Sequence, residues 1–86
     1  MELKLVNYFL AVAEFGSFSA AADHLYISQS SLSKQIIALE KELGVTLFDR
    51  SKRSIALTEA GKTFRKHAYQ INEEYKVMLT NLKEYK

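Results

Sequence analysis

The sequence contains no cysteine, few glycines and no long apolar run, and each absence removes a class of function. Without cysteine there is neither a disulfide framework nor a thiolate metal site. The three glycines stand apart, so no glycine-rich phosphate loop is present. No apolar run is long enough to span a bilayer, and the N-terminus lacks a basic leader with a small-residue cleavage pattern. We therefore expect a soluble, cytoplasmic protein with no membrane partner.

Residues suited to catalysis or metal binding are also scarce. His24 and His67 fall on different predicted helices, and no carboxylate pair stands at metal-ligand spacing. Four serines cluster between positions 28 and 33, but no base or nucleophile-elbow pattern stands nearby to activate one of them. We therefore predict no enzyme activity, no metal and no cofactor, and we expect both histidines at the surface.

Basic residues are concentrated in one part of this chain, whose 86 residues are enough for one domain. Six basic residues and one acidic residue lie between positions 50 and 67, so this stretch carries +5 while the remainder carries −3. Such asymmetry is typical of a surface that binds phosphate groups.

The N-terminal part of the chain predicts a core helix followed by a short alanine-rich helix. The first, over residues 3–14, carries apolar side chains at helical spacing and is followed by Gly16 as a stop signal. The second begins with Ser19 as its N-cap, has Phe18 packing back on it, and runs to Leu25. Its three consecutive alanines allow another helix to pack closely against it.

A third helix is predicted after a tight turn at positions 26 and 27. Ser28 is its N-cap, apolar side chains recur every three or four residues, and Gly44 ends it. Its other face carries hydrogen-bonding side chains with a single charge: Gln29, Ser30, Ser33, Lys34 and Gln35. Such groups suit the base edges of the DNA major groove, and two short helices around a tight turn are typical of a helix-turn-helix. A merely solvated face is the alternative, although it would usually carry more glutamate and lysine.

A short β-hairpin is predicted next. Residues 45–48 and 55–57 are largely apolar and β-prone, and a polar cluster separates them. Lys52 and Arg53 stand at the tip, which places a basic loop beside the third helix, as in the wing of a winged helix-turn-helix. A basic solvated turn is the alternative.

The last predicted helix extends from a Thr58 cap to the end of the chain, about 28 residues and roughly 42 Å. Glu59 at its first position suits the positive end of the helix dipole. Apolar residues then follow at alternating spacings of four and three, as a heptad seam: Phe64, Ala68, Ile71, Tyr75, Met78, Leu82 and Tyr85. A helix of this length extends beyond a small domain, so we expect the seam to pair with a second subunit. Packing on its own domain is the alternative for Ala60 and Phe64.

Four sequence blocks stand in order between Leu5 and about Phe64: SFSAAA, SQSSLSKQI, LEKELGVTLFDR and LTEAG. Together they resemble the DNA-binding domain of LysR-type transcriptional regulators. The resemblance implies a mainly α fold, in which a winged helix-turn-helix of three helices and a short hairpin over residues 1–58 precedes a linker helix over residues 59–86. It also implies a homodimer that binds an interrupted palindrome in double-stranded DNA upstream of a regulated gene.

The resemblance also assigns contacts to individual positions. The family's recognition residues fall on Ser28, Gln29, Ser30, Ser33, Lys34 and Gln35. Arg53 in the wing would reach the minor groove or the backbone, and phosphates would be held by helix N-termini and by Ser31, Arg50 and Lys52. Ser30 stands where many relatives have proline, and Lys34 where many have arginine. Because lysine is a point charge rather than a planar fork, guanine reading at Lys34 is expected to be less sharp.

Members of the family carry a second, C-terminal domain that senses a small-molecule inducer and helps to form tetramers. The sequence stops at the linker helix, so we expect an excised or truncated DNA-binding domain that does not itself bind the inducer. The alternative is a winged helix that has lost DNA binding and serves as a protein-interaction or dimerisation module. Acidic or apolar residues on the exposed face of the third helix would favour that alternative, whereas Gln29, Lys34 and Gln35 with the basic wing favour DNA.

Overall fold

The computed structural model describes residues 1–51 and 54–86, which form four α-helices and one two-stranded antiparallel sheet. In chain order the elements are α1 (Leu3–Phe15), α2 (Phe18–Leu25), α3 (Gln29–Leu43), β1 (Phe48–Asp49), β2 (Ala56–Leu57), α4 (Glu59–Leu82) and a final 3-10 turn (Lys83–Tyr85). This order confirms the predicted fold, a mainly helical winged helix-turn-helix followed by a long helix. No helix in the described ranges is both long enough and apolar enough to cross a membrane.

Most helix ends lie where the sequence predicts them. Gly16 and Gly44 adopt left-handed backbone conformations, with φ of 64° and 74°, and end α1 and α3. Ser28 caps α3 and Thr58 caps α4, because each hydroxyl oxygen accepts a hydrogen bond from a backbone N–H three residues later, at 3.1 and 2.9 Å. These local signals confirm the turn of the helix-turn-helix and the start of the long helix.

The predicted start of α2 is wrong by two residues. Ser17 rather than Ser19 is the N-cap: its backbone is extended and its hydroxyl accepts a hydrogen bond from the Ala20 N–H at 3.1 Å. Phe18 is therefore the first residue of the helix, and it is buried in the core instead of preceding the cap as a staple. Because α2 begins at Phe18, the aromatic ring of this residue is buried in the core. The capping residues alone do not show that this burial favours the earlier start.

One apolar core joins all four helices to the sheet. Phe9 of α1 lies at its centre, with its ring centroid 5.0 Å from that of Phe48 and 4.6 Å from that of Phe64. Burying each ring of this size stabilises the fold by roughly 1.5–3 kcal/mol. The largest fully buried side chains are Phe9, Phe48, Leu32, Ile36, Leu39, Leu47 and Val12.

The sheet is shorter than the predicted hairpin. Each strand has two residues, with Phe48 opposite Leu57 and Asp49 opposite Ala56. Two backbone N–H groups at residues 47 and 48 donate to the Glu40 carboxylate of α3 instead of to a facing strand. A helix side chain thus replaces part of the ladder that the β-prone sequence predicts.

The start of α4 is locked against the segment that precedes the sheet. A Cβ atom on Gly61 would lie 2.1 Å from the Leu47 carbonyl oxygen, so only glycine fits without moving backbone. The Thr58 hydroxyl donates to the Thr46 carbonyl oxygen at 2.5 Å, and the Thr58 N–H donates to the Leu47 carbonyl oxygen at 3.0 Å. From this anchor α4 runs for 24 residues and ends at Leu82, four residues before the predicted end.

Candidate nucleic-acid interface

The first half of α3 presents a cluster of polar side chains to solvent. Gln29, Ser30 and Lys34 are exposed and Ser33 is half-buried. Ser30 and Lys34 lie one helical turn apart, on the side opposite the apolar residues that α3 buries in the core: Leu32, Ile36 and Leu39. Packing of the apolar side therefore fixes the direction in which the polar side faces.

Hydrogen bonds within α3 order several of the predicted recognition residues. The Ser28 hydroxyl accepts from the Ser31 N–H at 3.1 Å and lies 3.4 Å from the Ser30 hydroxyl. The Gln35 amide nitrogen donates to the Ser31 hydroxyl oxygen at 3.1 Å. Ser28 and Ser31 thus stabilise the start of the helix and hold Gln35 along its surface. The sequence predicts the cap at Ser28, but for Ser31 and Gln35 it predicts only contacts with DNA.

A buried carboxylate in α3 holds the base of the hairpin, and sequence reasoning missed it. Glu40 is 9% exposed, and its Oε2 accepts from the backbone N–H groups of Leu47 and Phe48 at 2.7 and 3.2 Å. Its Oε1 accepts from the Arg50 guanidinium at 3.1 Å. Three hydrogen-bond donors, one of them the positively charged Arg50 guanidinium, compensate for the removal of this carboxylate from water. One sequence signal could have revealed it: Glu40 stands one turn after Ile36 on the buried face, where a charge requires a partner.

Arg50 has partners within its own chain. Besides its ion pair with Glu40, its guanidinium lies 5.1 Å from the centroid of the Phe18 ring, in cation–π geometry. The arginine therefore connects the strand end to α3 and α2. Its predicted phosphate contact would have to be made by a side chain that already stabilises the base of the wing.

The tip of the predicted wing, Lys52 and Arg53, lies outside the described residues. Directly before it, Asp49 accepts hydrogen bonds from the Ser51 N–H at 2.9 Å and from the Ser51 hydroxyl at 2.6 Å. An aspartate that bonds the backbone two residues later forms an Asx-type turn, which here begins the loop.

The predicted heptad seam on α4 divides into two parts. Phe64 and Ala68 pack into the core of their own chain, and Ala68 is only 2% exposed. Ala68 therefore has no surface left for a second subunit, and the exposed seam begins at Ile71. Its later members are 40–78% exposed, the last of them in the 3-10 turn: Ile71, Tyr75, Met78, Leu82 and Tyr85.

The two histidines lie at the surface, as predicted. His24, in the last turn of α2, places its ring centroid 5.0 Å from that of Phe15, and His67 is exposed on α4. In residues 1–51 and 54–86, no group of three or more histidine, aspartate or glutamate side chains could hold a metal ion.

Comparisons with known proteins agree with this geometry. The family model described as bacterial regulatory helix-turn-helix protein, lysR family, matches residues 3–62. An uncharacterized HTH-type transcriptional regulator of Azotobacter vinelandii is 51% identical over 71 residues, which cover 83% of this chain and 49% of that protein. The chain thus spans about half the length of this relative.

Two solved structures of regulators bound to DNA match almost the whole chain. The DNA-binding domain of BenM in complex with the catB site 1 DNA has a TM-score of 0.96 and 40% identity, and the match covers 99% of this chain and 96% of that one. The complex of the CbnR DNA-binding domain with DNA has a TM-score of 0.90 and 41% identity, with 99% and 98% covered. These similarities are to regulators and not to enzymes. The chain belongs to the lysR family of bacterial regulatory helix-turn-helix proteins, as a DNA-binding domain of that family.

Proposed function

We propose that this domain binds a two-fold symmetric DNA site as a homodimer, with α3 in the major groove and the hairpin loop against the adjacent backbone or minor groove. The observation that carries the proposal is the exposed polar side of α3, set on a helix whose opposite side is fully packed. A major groove admits one α-helix and offers hydrogen-bonding groups that differ between base pairs.

Different side chains take different parts in this complex. Gln29 and Lys34 read bases, since glutamine pairs with adenine and lysine with guanine, and Ser30 and Ser33 add shorter contacts. Ser28 and Gln35 complete the recognition set, which is supported by the common place of its members on α3 and its N-cap. Phosphates are held by the helix N-terminus with Ser31, and by Arg50 and Lys52. Arg53 reaches the minor groove or the backbone.

The second subunit pairs through the exposed seam of α4. Its central member, Met78, lies on the part of α4 beyond the core of this chain, where burial of the apolar row would be favourable. Two-fold pairing places the two copies of α3 in successive major grooves, about 34 Å apart. The seam residues in this role are Ile71, Tyr75, Met78, Leu82 and Tyr85.

In the full regulator, this domain works together with a C-terminal domain that binds a small-molecule inducer and supports a tetramer. Support comes from the family, and from relatives that are longer than this chain, such as the Azotobacter protein. The regulator acts in the cytoplasm, on the nucleoid.

Selection of bound duplexes from a random pool tests the proposal directly. We expect a two-fold symmetric motif, bound more tightly than a scrambled duplex at two salt concentrations. Equal and steeply salt-dependent binding of both duplexes would contradict base reading by α3, because phosphate contacts alone give that result. No binding at low salt would favour a protein-interaction module instead.

A further inference from the structure

Tyr26 has a backbone conformation that is unfavourable for its residue type. At φ 59° and ψ 40° it lies in the left-handed region, and no other non-glycine residue in the described ranges has a positive φ. The corresponding positions after α1 and α3 are Gly16 and Gly44. A side chain with a Cβ atom raises the free energy of this conformation, and glycine avoids that cost.

In residues 1–51 and 54–86, no side-chain contact of Tyr26 compensates for this cost. The Tyr26 residue is 94% exposed, and its hydroxyl makes no hydrogen bond with any described residue. Its backbone N–H closes the end of α2 on the Asp23 carbonyl oxygen at 3.3 Å, a bond that glycine would make equally well. The phenol side chain therefore contributes no packing to the fold and is available to another molecule.

The position of Tyr26 indicates which molecule this is. It stands two residues before Ser28, the N-cap of α3, and two residues span at most about 7 Å of chain. The Tyr26 backbone therefore lies close to the first turn of α3, the part that enters the major groove in the proposed function, and the phenol can reach the edge of that groove. Phosphates line both edges of that groove, and tyrosine hydroxyls are among the groups that donate to phosphate oxygens.

We propose that Tyr26 is a DNA-contacting residue whose hydroxyl donates a hydrogen bond to a backbone phosphate at the edge of the groove occupied by α3. This inference rests on the proposed function. Because the phenol is neutral, the contact releases no counterion and leaves the salt dependence of binding unchanged. Because a phosphate carries no sequence information, the contact strengthens binding to every duplex.

Two substitutions at Tyr26 and one elsewhere test this contact. Affinities of Tyr26→Phe, Tyr26→Gly and wild type for the selected and the scrambled duplex are measured at two salt concentrations, with thermal unfolding recorded without DNA. Tyr69→Phe is the matched control, because it removes the same hydroxyl from an exposed tyrosine on α4.

The expected results separate affinity from stability. Tyr26→Phe weakens binding of both duplexes by about threefold to tenfold, the range for one accessible hydrogen bond, with an unchanged salt slope. Tyr26→Gly weakens binding at least as much, yet it raises the melting temperature by roughly 4 °C because the left-handed cost disappears. Tyr69→Phe changes neither quantity.

Other outcomes overturn the inference in distinguishable ways. If the wild type binds and both Tyr26 variants bind within about twofold of it, Tyr26 is not a contact although the proposed function stands. A loss confined to the selected duplex would replace the phosphate contact with base reading. A lower melting temperature for Tyr26→Gly would attribute the lost affinity to a damaged turn. A wild-type chain that binds neither duplex would overturn the proposed function, and this contact with it.

Discussion

Helices α3 and α4 each bury part of their surface in the core and expose another part, but the two exposed parts differ in chemistry. The exposed side of α3 carries polar side chains such as Gln29 and Lys34, whereas the exposed second half of α4 carries apolar ones such as Ile71 and Met78. A polar face is suited to a partner with many hydrogen-bonding groups, and an apolar stripe to another apolar helix. The same domain therefore exposes two surfaces of different chemistry, each suited to a different kind of partner.

The buried parts of the two helices explain how both surfaces are held in place. In α3 the second half contributes Glu40, which binds the hairpin base. In α4 the first half contributes Gly61 and Phe64, which lie against the same segment and against α1. Substitutions of the buried residues should thus lower stability, and substitutions of the exposed residues should change binding only.

The largest effect is expected for Glu40→Ala. This substitution leaves two backbone N–H groups without their acceptor and removes the ion pair with the partly exposed Arg50. We expect a loss of about 3 kcal/mol, because each buried donor left unsatisfied costs about 1–3 kcal/mol. Chemical denaturation at fixed protein concentration measures the free energy of unfolding. Glu42→Ala is the control, because it removes an exposed carboxylate paired with the N-terminal amine and should change stability by less than about 1 kcal/mol. Equal stability of the two variants would contradict an anchoring role for Glu40.

Met78→Asp should separate the two subunits without unfolding the domain. A carboxylate in an apolar helix pair would lose its hydration, so we expect dimerisation to weaken by roughly 2 kcal/mol or more. Sedimentation across a range of concentrations measures this change. Val77→Asp is the control, since Val77 is equally exposed but lies about 100° around the helix from Met78. Equal dimerisation of both variants, or a wild type that is monomeric at micromolar concentration, would contradict the proposed seam.

Gln29→Ala should change sequence preference alone. If Gln29 makes a bidentate contact with a base, its loss costs about 1–3 kcal/mol for the selected duplex and nothing for the scrambled one. The melting temperature should not change, because the exposed side chain makes no packing contribution to the core. Binding of both duplexes, measured together with thermal unfolding, tests this expectation. An equal loss for the two duplexes would show that Gln29 contacts the backbone instead.

Local signals in the sequence were sufficient to predict the order of the elements and most of their ends. Ser28 and Thr58 cap helices and Gly44 ends one because these effects act within a few residues, which a sequence displays directly. Ser17 and Ser19 offer the same local signal, and the burial of Phe18 decides between them. The polar side of α3 indicated Gln29, Ser30, Ser33, Lys34 and Gln35 as recognition residues, and the family resemblance added Ser28 to them.

Features that depend on distant segments could not be predicted in this way. The partners of Glu40 lie seven to ten residues along the chain, and the close neighbour of Gly61 lies on the opposite side of the hairpin. The left-handed backbone of Tyr26 was also missed, because a tyrosine carries no signal for a positive φ. Each of these features is a property of the assembled fold.

Lys52→Ala should give the smallest effect and the most distinctive salt dependence. If Lys52 contacts a phosphate, its loss weakens binding to all duplexes about equally and lowers the salt slope by about one. Affinities for the selected and scrambled duplexes at several salt concentrations measure both quantities, with Lys86→Ala at the end of the chain as the control for loss of one positive charge. Because Gln29→Ala should alter sequence preference at a constant salt slope, the two variants would separate base reading from phosphate binding. If they behaved alike across sequences and salt concentrations, the proposed division between α3 and the wing would be wrong.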